Sequence, residues 1–301
     1  MKKTYDYFLC DVFTDIAFGG NALAVFPKAD GLSGEQMQKI AREFNFSESA
    51  FVFEPEGEGD KKVRIFTPTR EVPFAGHPNV GTAFVLAESG VIDLQGGRAT
   101  VVFEELAGLV SVDLMRHDNG MLEAKVRAPE QLSLGEALPV ERIAEAVSLS
   151  TYDICVEHHQ PQVISVGLPF LCARVSNLPA LQRARPNVAA IEQLESDGIV
   201  ADIHLYTHLQ EENTLQARMF APLDGVPEDP ATGSANAALA GLLAHLQPAD
   251  SGHFEWSIKQ GMEMHKPSLI KATAVKQANS VTEITIAGTS VMLSEGRFFI
   301  E

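Results

Sequence analysis

The sequence predicts an α+β protein of two pseudo-symmetric domains, each a curved mixed or antiparallel sheet wrapped around one central apolar helix. Three observations carry that expectation. A stretch near Arg64 returns near Arg218, strand-like runs recur around glycine turns in both halves, and two segments are apolar on nearly every face.

RIFTPTREVP begins at Arg64 and RMFAPLDGVP at Arg218. Arg64 and Arg218, Phe66 and Phe220, Pro68 and Pro222, Val72 and Val226, and Pro73 and Pro227 coincide at an offset of 154 residues. After a three-residue insertion the match resumes at 157, pairing Gly76 with Gly233, Asn79 with Asn236, Ala83 with Ala240 and Leu86 with Leu243. Identities at nearly fixed register mark a duplicated unit, and 301 residues suit two domains of ordinary size. We expect a first domain over 1–125, completed by a C-terminal strand over 289–301, and a second over 126–288.

The elements follow in order. YDYFLCDVFT and NALAVF are β-rich runs on either side of the turn residues Phe18-Gly19-Gly20. Ser33 to Phe44 is an amphipathic helix, with Ser33 as N-cap and Gln36 three residues on. AFVFEP and KVRIFTP follow as strands, then the apolar helix NVGTAFVLAES. The second half offers QVISVG and FLCARV around Gly167-Leu168-Pro169, a helix over Val188–Asp197, strands in IVADIHLYTHL and LQARMF, and the helix SANAALAGLLAHL. A helix that is apolar all round belongs inside.

Composition narrows the function. The chain is 45% apolar and 21% charged, an ordinary globular balance. A net charge of −17 makes a nucleic-acid backbone or an anionic membrane surface a poor partner. Asp6 and Asp11 interrupt the start MKKTYDYFLCDVF, which therefore does not read as a signal peptide. The most apolar run, Ala237 to Leu246, is too short to span a bilayer. Cys10, Cys155 and Cys172 are far apart, as expected of structural thiols in a reducing, cytoplasmic setting. No Rossmann glycine fingerprint or Walker lysine is present. His204 and His208 lie in a β-branched, alternating stretch, which favours a strand without metal; His158 and His159 read as a solvated loop.

The repeat places a special helix start in each half: Ala75-Gly76-His77-Pro78 and Ala231-Thr232-Gly233-Ser234. Glycine lets a ligand approach the backbone, and Pro78 fits a first turn, where its missing N–H costs nothing. First-turn N–H groups and the positive end of the helix dipole favour an anion. A small carboxylic acid, held in the crevice that related domains commonly form, is the expected occupant. At such a helix start the dipole disfavours an imidazolium, so His77 is expected to act as a neutral hydrogen-bonding or relay group. Asp229, just ahead of the second start, suits an ionised carboxylate. Asn21 reads equally as a turn residue or a substrate contact.

VFTDIAFGGNALAVF, AREFNFSESAFVF, FTPTREVPFAGHPNVGTA and EDPATGSANAAL, in that order and spacing, resemble the signature blocks of the PhzF-like (phenazine biosynthesis) family, and the ending EITIAGTSVMLSEGRFFI is similar too. The resemblance implies the diaminopimelate epimerase-like fold, with the active site between two pseudo-symmetric domains. It also implies isomerase chemistry of the kind that moves a proton within a dihydro-hydroxyanthranilate. Members are often homodimers.

By the family pattern Glu48, in the block SESAF, is the catalytic carboxylate, with His77, Asp229 and Ser234 as its partners at the site. Asn21, Gly76 and Gly233 match substrate-contacting positions. Glu48 also stands between Phe46 and Phe51, and an enclosed carboxylate gains strength as a base. Related epimerases and racemases carry a cysteine ahead of each central helix; here Ala75 and Ala231 stand near those places, which disfavours a two-thiol racemase. Asp202, 154 residues after Glu48, is a candidate second acid. The expected reaction is cofactor-independent and metal-free proton transfer within a small, cyclic or unsaturated carboxylic acid. Two alternatives stay open: a carboxylate-based epimerase or racemase of an amino or hydroxy acid, and a non-catalytic small-acid-binding protein of the same fold.

Overall fold

Strands outnumber helices throughout the computed structural model, which describes residues 3–300. Met1, Lys2 and Glu301, which fall within the expected domains, lie outside the described residues. The fold is α+β and dominated by sheet. The chain divides into two compact units, one taking the chain up to Pro129 and again from Ala287 onward, the other spanning Glu130–Ile286.

In the first unit, β1 (Lys3–Val12) pairs antiparallel with β2 (Asn21–Phe26) on one side and with residues 290–300 on the other. Helix α1 (Gly34–Phe44) carries the chain over to β3 (Glu48–Phe53), which lies parallel to β2 with Leu23 opposite Glu48. β4 (Lys61–Phe66) returns antiparallel, and the two-residue β5 (Glu71–Val72) pairs back onto it. Helix α2 (Gly76–Glu88) then leads to β6 (Arg98–Glu105), parallel to β4, and the meander closes through β7 (Gly108–Arg116) and β8 (Leu122–Arg127).

The two helices use the two faces of the sheet. The α1 N-cap is the capping box expected at Ser33 and Gln36. Met37, Ile40 and Ala41 of α1 pack with Ala24 and Phe26 of β2 and with Phe51 and Phe66, and Phe26 stacks on Phe51 at 4.9 Å between centroids. Helix α2 is buried from Gly76 through Ala87 and lies against β1, β2, β3, β7 and β8. Gly81 makes that approach possible: a Cβ there would come within 2.6 Å of Leu23 Cδ2 and of Val12 Cγ2.

The second unit repeats this order of elements. β9 (Ser133–Ala137) and helix α3 (Val140–Ala146) precede β10 (Gln162–Ser165) and β11 (Pro169–Arg174), an antiparallel pair. Helices α4 (Leu178–Arg183) and α5 (Val188–Ser196) carry the chain to β12 (Ile203–His208), parallel to β11. β13 (Thr214–Ala221) returns antiparallel, and β14 (Val226–Asp229) pairs onto it. Helix α6 (Gly233–His245), buried from Gly233 through Ala244, leads to β15 (Gly252–Gln260), which is parallel to β13 and antiparallel to β16 (Ser268–Gln277). The last strand, β17 (Ser280–Ile300), begins in this unit and ends in the first. Ile143, Leu181, Ile191 and Leu194 of α3–α5 form a second core with Leu171, Leu205 and Phe220.

Pairing corrects one detail of the repeat. Arg64 holds Glu71 through two hydrogen bonds of 2.7 Å, and Arg218 holds Glu228 through bonds of 2.7 and 2.8 Å. Each guanidinium also lies over the phenylalanine two residues on, at 5.1 Å for Phe66 and 4.9 Å for Phe220. Glu71 and Glu228 are thus equivalent at an offset of 157, and the insertion falls earlier than the sequence match implies, in the 3-10 turn Pro222–Asp224. The Val72/Val226 and Pro73/Pro227 identities are coincidental. Val72 instead corresponds to Asp229, since Ile65 faces Val72 and Met219 faces Asp229.

The two arginines differ in burial, with side chains 28% exposed for Arg64 and 2% for Arg218. Arg218 also donates to the carbonyls of Leu181 and Ala184 at 2.9 and 2.8 Å. Breaking a buried pair strands its partner. Arg218→Ala is expected to cost about 3–5 kcal/mol and Arg64→Ala about 1 kcal/mol, read as separate urea denaturation midpoints with unchanged slopes; equal losses would contradict the burial argument.

Candidate functional site

In the first unit, three element starts meet. The turn from β1 to β2 is fixed by buried Asp11, whose Oδ2 accepts from the Phe18 N–H at 2.7 Å. Phe18 takes φ 69° and Gly20 φ 57°, and a Cβ on Gly20 would fall 2.3 Å from the Val12 carbonyl oxygen. Only glycine fits there, and the turn delivers buried Asn21 as the first residue of β2. Glu48 opens β3 beside it, and His77 is the second residue of α2. Glu48 Oε2 lies 3.5 Å from His77 Nδ1, and Asn21 Nδ2 lies 3.4 Å from the same nitrogen. The side chains are 18% exposed for Glu48 and 4% for His77.

In the second unit, Asp229 ends β14, while Gly233 and Ser234 are the first two residues of α6. Asp229 and Ser234 are buried. The N-cap of α6 is Thr232, and its hydroxyl donates to Asp229 Oδ2 at 2.5 Å. Gln260, at the end of β15, ties this mouth together. Its Oε1 accepts from Thr232 N at 3.1 Å and from Asn236 Nδ2 at 2.7 Å; its Nε2 donates to the Asp229 carbonyl at 2.8 Å and to Thr232 Oγ1 at 3.0 Å. Asn236 Nδ2 also donates to the Thr232 carbonyl at 2.9 Å, matched in the first unit by Asn79 Nδ2 to the Ala75 carbonyl at 3.1 Å.

Strand register shows what the duplication kept. Ser49 faces Phe66 as Ile203 faces Phe220, so Asp202 stands where Glu48 does. Ala24 faces Ser49 as Leu171 faces Ile203, which puts Leu168 in the place of Asn21. Ser234 takes the place of His77. The trio Asn21, Glu48 and His77 thus becomes Leu168, Asp202 and Ser234, and the carboxylate–imidazole pair belongs to the first unit. The N-caps are Ala75 and Thr232, so the counterpart of Ala75 is Thr232 and Ala231 lies one residue earlier.

A family model for phenazine biosynthesis-like proteins matches residues 10–296. The chain belongs to the phenazine biosynthesis-like protein family. An isomerase of Mesorhizobium japonicum is 38% identical over 306 residues, covering 99% of this chain and 100% of the relative. The trans-2,3-dihydro-3-hydroxyanthranilate isomerase of Pseudomonas fluorescens is 34% identical over 294 residues, covering 97% of this chain and 98% of that protein. Among solved structures, a phenazine biosynthesis protein of the PhzF family from Bacillus anthracis superposes with a TM-score of 0.88 at 28% identity, over 99% of this chain and 100% of that one.

In this member of the family, several site groups carry no sequence signal of their own. Thr232 falls within the expected helix start, but nothing in the sequence marks its hydroxyl as a partner of Asp229, and Gln260 reaches the mouth from a strand end that only parallel pairing with β13 brings close. His159, expected to be solvated, is buried: its Nε2 meets the Tyr206 hydroxyl at 2.7 Å, and burial lowers its pKa. His204 and His208 lie on β12, and burial lowers His204 to about 4. Cys10 and Cys172 are buried with raised pKa, and none of the three cysteines stands at a helix mouth.

Replacing Gln260 by Leu would remove four hydrogen bonds and leave buried partners unmet. At about 1 kcal/mol net per bond, the expected loss is about 3–4 kcal/mol. Thermal melting of Gln260→Leu should show it, while Gln260→Glu at low pH, which restores a donor and an acceptor, should recover most of it.

Proposed function

We propose that the chain is an isomerase that moves a proton within a small unsaturated carboxylic acid, using its own side chains. The observation that carries this reading is the enclosed Glu48–His77 pair, 3.5 Å apart at the start of a buried helix. The 34% identity to a trans-2,3-dihydro-3-hydroxyanthranilate isomerase over nearly the whole chain supports the substrate class, a cyclic acid with a mobile double bond.

The steps follow from the donors and acceptors. Glu48 takes a proton from a carbon next to the unsaturated system, and the electron pair left behind spreads over it. The proton then returns at another carbon of the same ligand. His77 Nδ1 faces both Glu48 and Asn21. It can donate to a Glu48 carboxylate when it carries hydrogen, or accept from the Asn21 amide when it does not, but not both at once. That competition suits a group that follows the charge state of its neighbour. The backbone N–H groups of Gly76, His77, Gly233 and Ser234 are assigned to the developing negative charge, and Asp229 and Ser234 to a polar substituent of the substrate.

Glu48→Gln keeps the shape of the side chain and loses its basicity. Turnover of trans-2,3-dihydro-3-hydroxyanthranilate, and incorporation of deuterium from D₂O into it, should fall by about 10²–10⁴-fold. Binding measured by calorimetry should change by less than about tenfold. Full activity in Glu48→Gln would discard the assignment. Inversion of a stereocentre without movement of a double bond would shift the reading to an epimerase.

A further inference from the structure

The duplication acts as a ruler for residues that the proton transfer leaves unused. Lys61 of β4 faces Phe103 of β6 in the first unit, and Leu215 of β13 faces Ile258 of β15 in the second. Two residues further on, Glu105 in the first unit stands where Gln260 stands in the second. Their helix partners correspond as well, Asn79 to Asn236.

Glu105 continues the inward-facing series Val101 and Phe103 on β6. Its stem reaches the surface, but both carboxyl oxygens are buried and neither has a hydrogen-bond partner; the same is true of the Asn79 amide oxygen. Burial pushes the Glu105 pKa up to about 8, while the neighbouring Asn79 side chain favours the ionised form. The titratable and charged groups on the surrounding elements are His77 and Glu88 on α2, Lys61, Lys62 and Arg64 on β4, Glu71 on β5, and Asp113 and Arg116 on β7, with Arg98 and Glu104 on β6 itself. A protonated carboxyl presents one donor beside one acceptor, as an amide does. That is the pattern with which Gln260 serves the other mouth.

We propose that Glu105 is a positioning residue that works as the neutral acid: paired with Asn79 in the manner of Gln260 with Asn236, it holds the first turn of α2, and through it His77, in working geometry. Its link to activity rests on the role given above to Glu48 and His77. Its link to the helix mouth does not. Ionisation would put a charge where an amide-like group is needed and loosen the turn.

The linkage has a definite sign. The acid is protonated in the folded protein across a range where the unfolded chain is ionised, so its stabilising share is complete below the ordinary carboxylate range. That share is lost as pH rises toward 8. The melting temperature of Glu105→Gln should therefore pull ahead of wild type from pH 5 to 8, then keep a constant lead.

The test compares wild type, Glu105→Gln and Glu105→Ala between pH 5 and 9. In protein labelled at glutamate carboxyl carbons, one signal should titrate near pH 8 and vanish in Glu105→Gln. The amide signals of Gly76 and His77 should follow that titration in wild type and lose the component in Glu105→Gln. Both measurements stand even if no turnover is found for any acid, which separates failure of this proposal from failure of the isomerase reading. Where turnover is measured, wild-type kcat should fall about tenfold between pH 7 and 9, following the protonated fraction, and Glu105→Gln should lack that fall while matching wild type at pH 6.5. Glu105→Ala should lose kcat at every pH. Three results would overturn the proposal: no glutamate titrating above pH 6.5, Gly76 and His77 signals indifferent to the substitution, or a Glu105→Gln enzyme tenfold slower at pH 6.5, which would make the acid a proton donor.

Discussion

A helix buried on every side hides its first turn from water, and much of each unit is arranged around that constraint. The opening N–H groups of a helix have no partner within it, and an unmet buried donor costs about 1–3 kcal/mol. α2 and α6 are enclosed from their first residues. In the second unit the answer is a side chain from a distant strand: Gln260 Oε1 accepts from the N-cap N–H. An anion at the mouth is another answer. The polar layer under the helix start and the proposed carboxylate substrate thus meet the same electrostatic demand.

The two mouths answer it unequally. Where the first unit has Asn21, Glu48 and His77, the second has Leu168, Asp202 and Ser234; where the second has Asp229, Thr232 and Gln260, the first has Val72, Ala75 and Glu105. Proton transfer needs its groups within hydrogen-bond reach of one another and of one reacting atom. Glu48 and His77, 3.5 Å apart, meet that demand within one unit. The second unit has Ser234 in place of the imidazole and a network of fixed hydrogen bonds around Gln260.

What the sequence reveals depends on how local the cause is. Helix burial at α2 and α6 is legible because no face is polar, and the α1 cap because Ser33 and Gln36 lie three residues apart. The shared arginine motif is legible because identity alone displays it. The place of the insertion is not: β5 and β14 are short, and a chance Val-Pro match hides a shift that the Arg218–Glu228 pair and the strand register correct. Gln260 and Glu105 are silent for a deeper reason. Each sits at the end of an ordinary alternating strand, and its role follows from parallel pairing across tens of residues. His159 is likewise read correctly only once Tyr206, 47 residues on, is beside it.

The residue types at the two caps bear on the proposed chemistry. Neither Ala75 nor Thr232 can take a proton from carbon, the first having no functional group and the second a hydroxyl engaged by Asp229. The proposed base sits instead at the start of a strand, Glu48 on β3, and meets the helix at His77. An anionic base at the cap itself would compete with the substrate for the positive end of the helix dipole. Set off the helix axis, the base leaves that end to the charge that the substrate brings and develops. A strand-borne base beside a helix mouth is therefore a coherent alternative to a base at the cap: the fold supplies electrostatic stabilisation in one place and basicity in another.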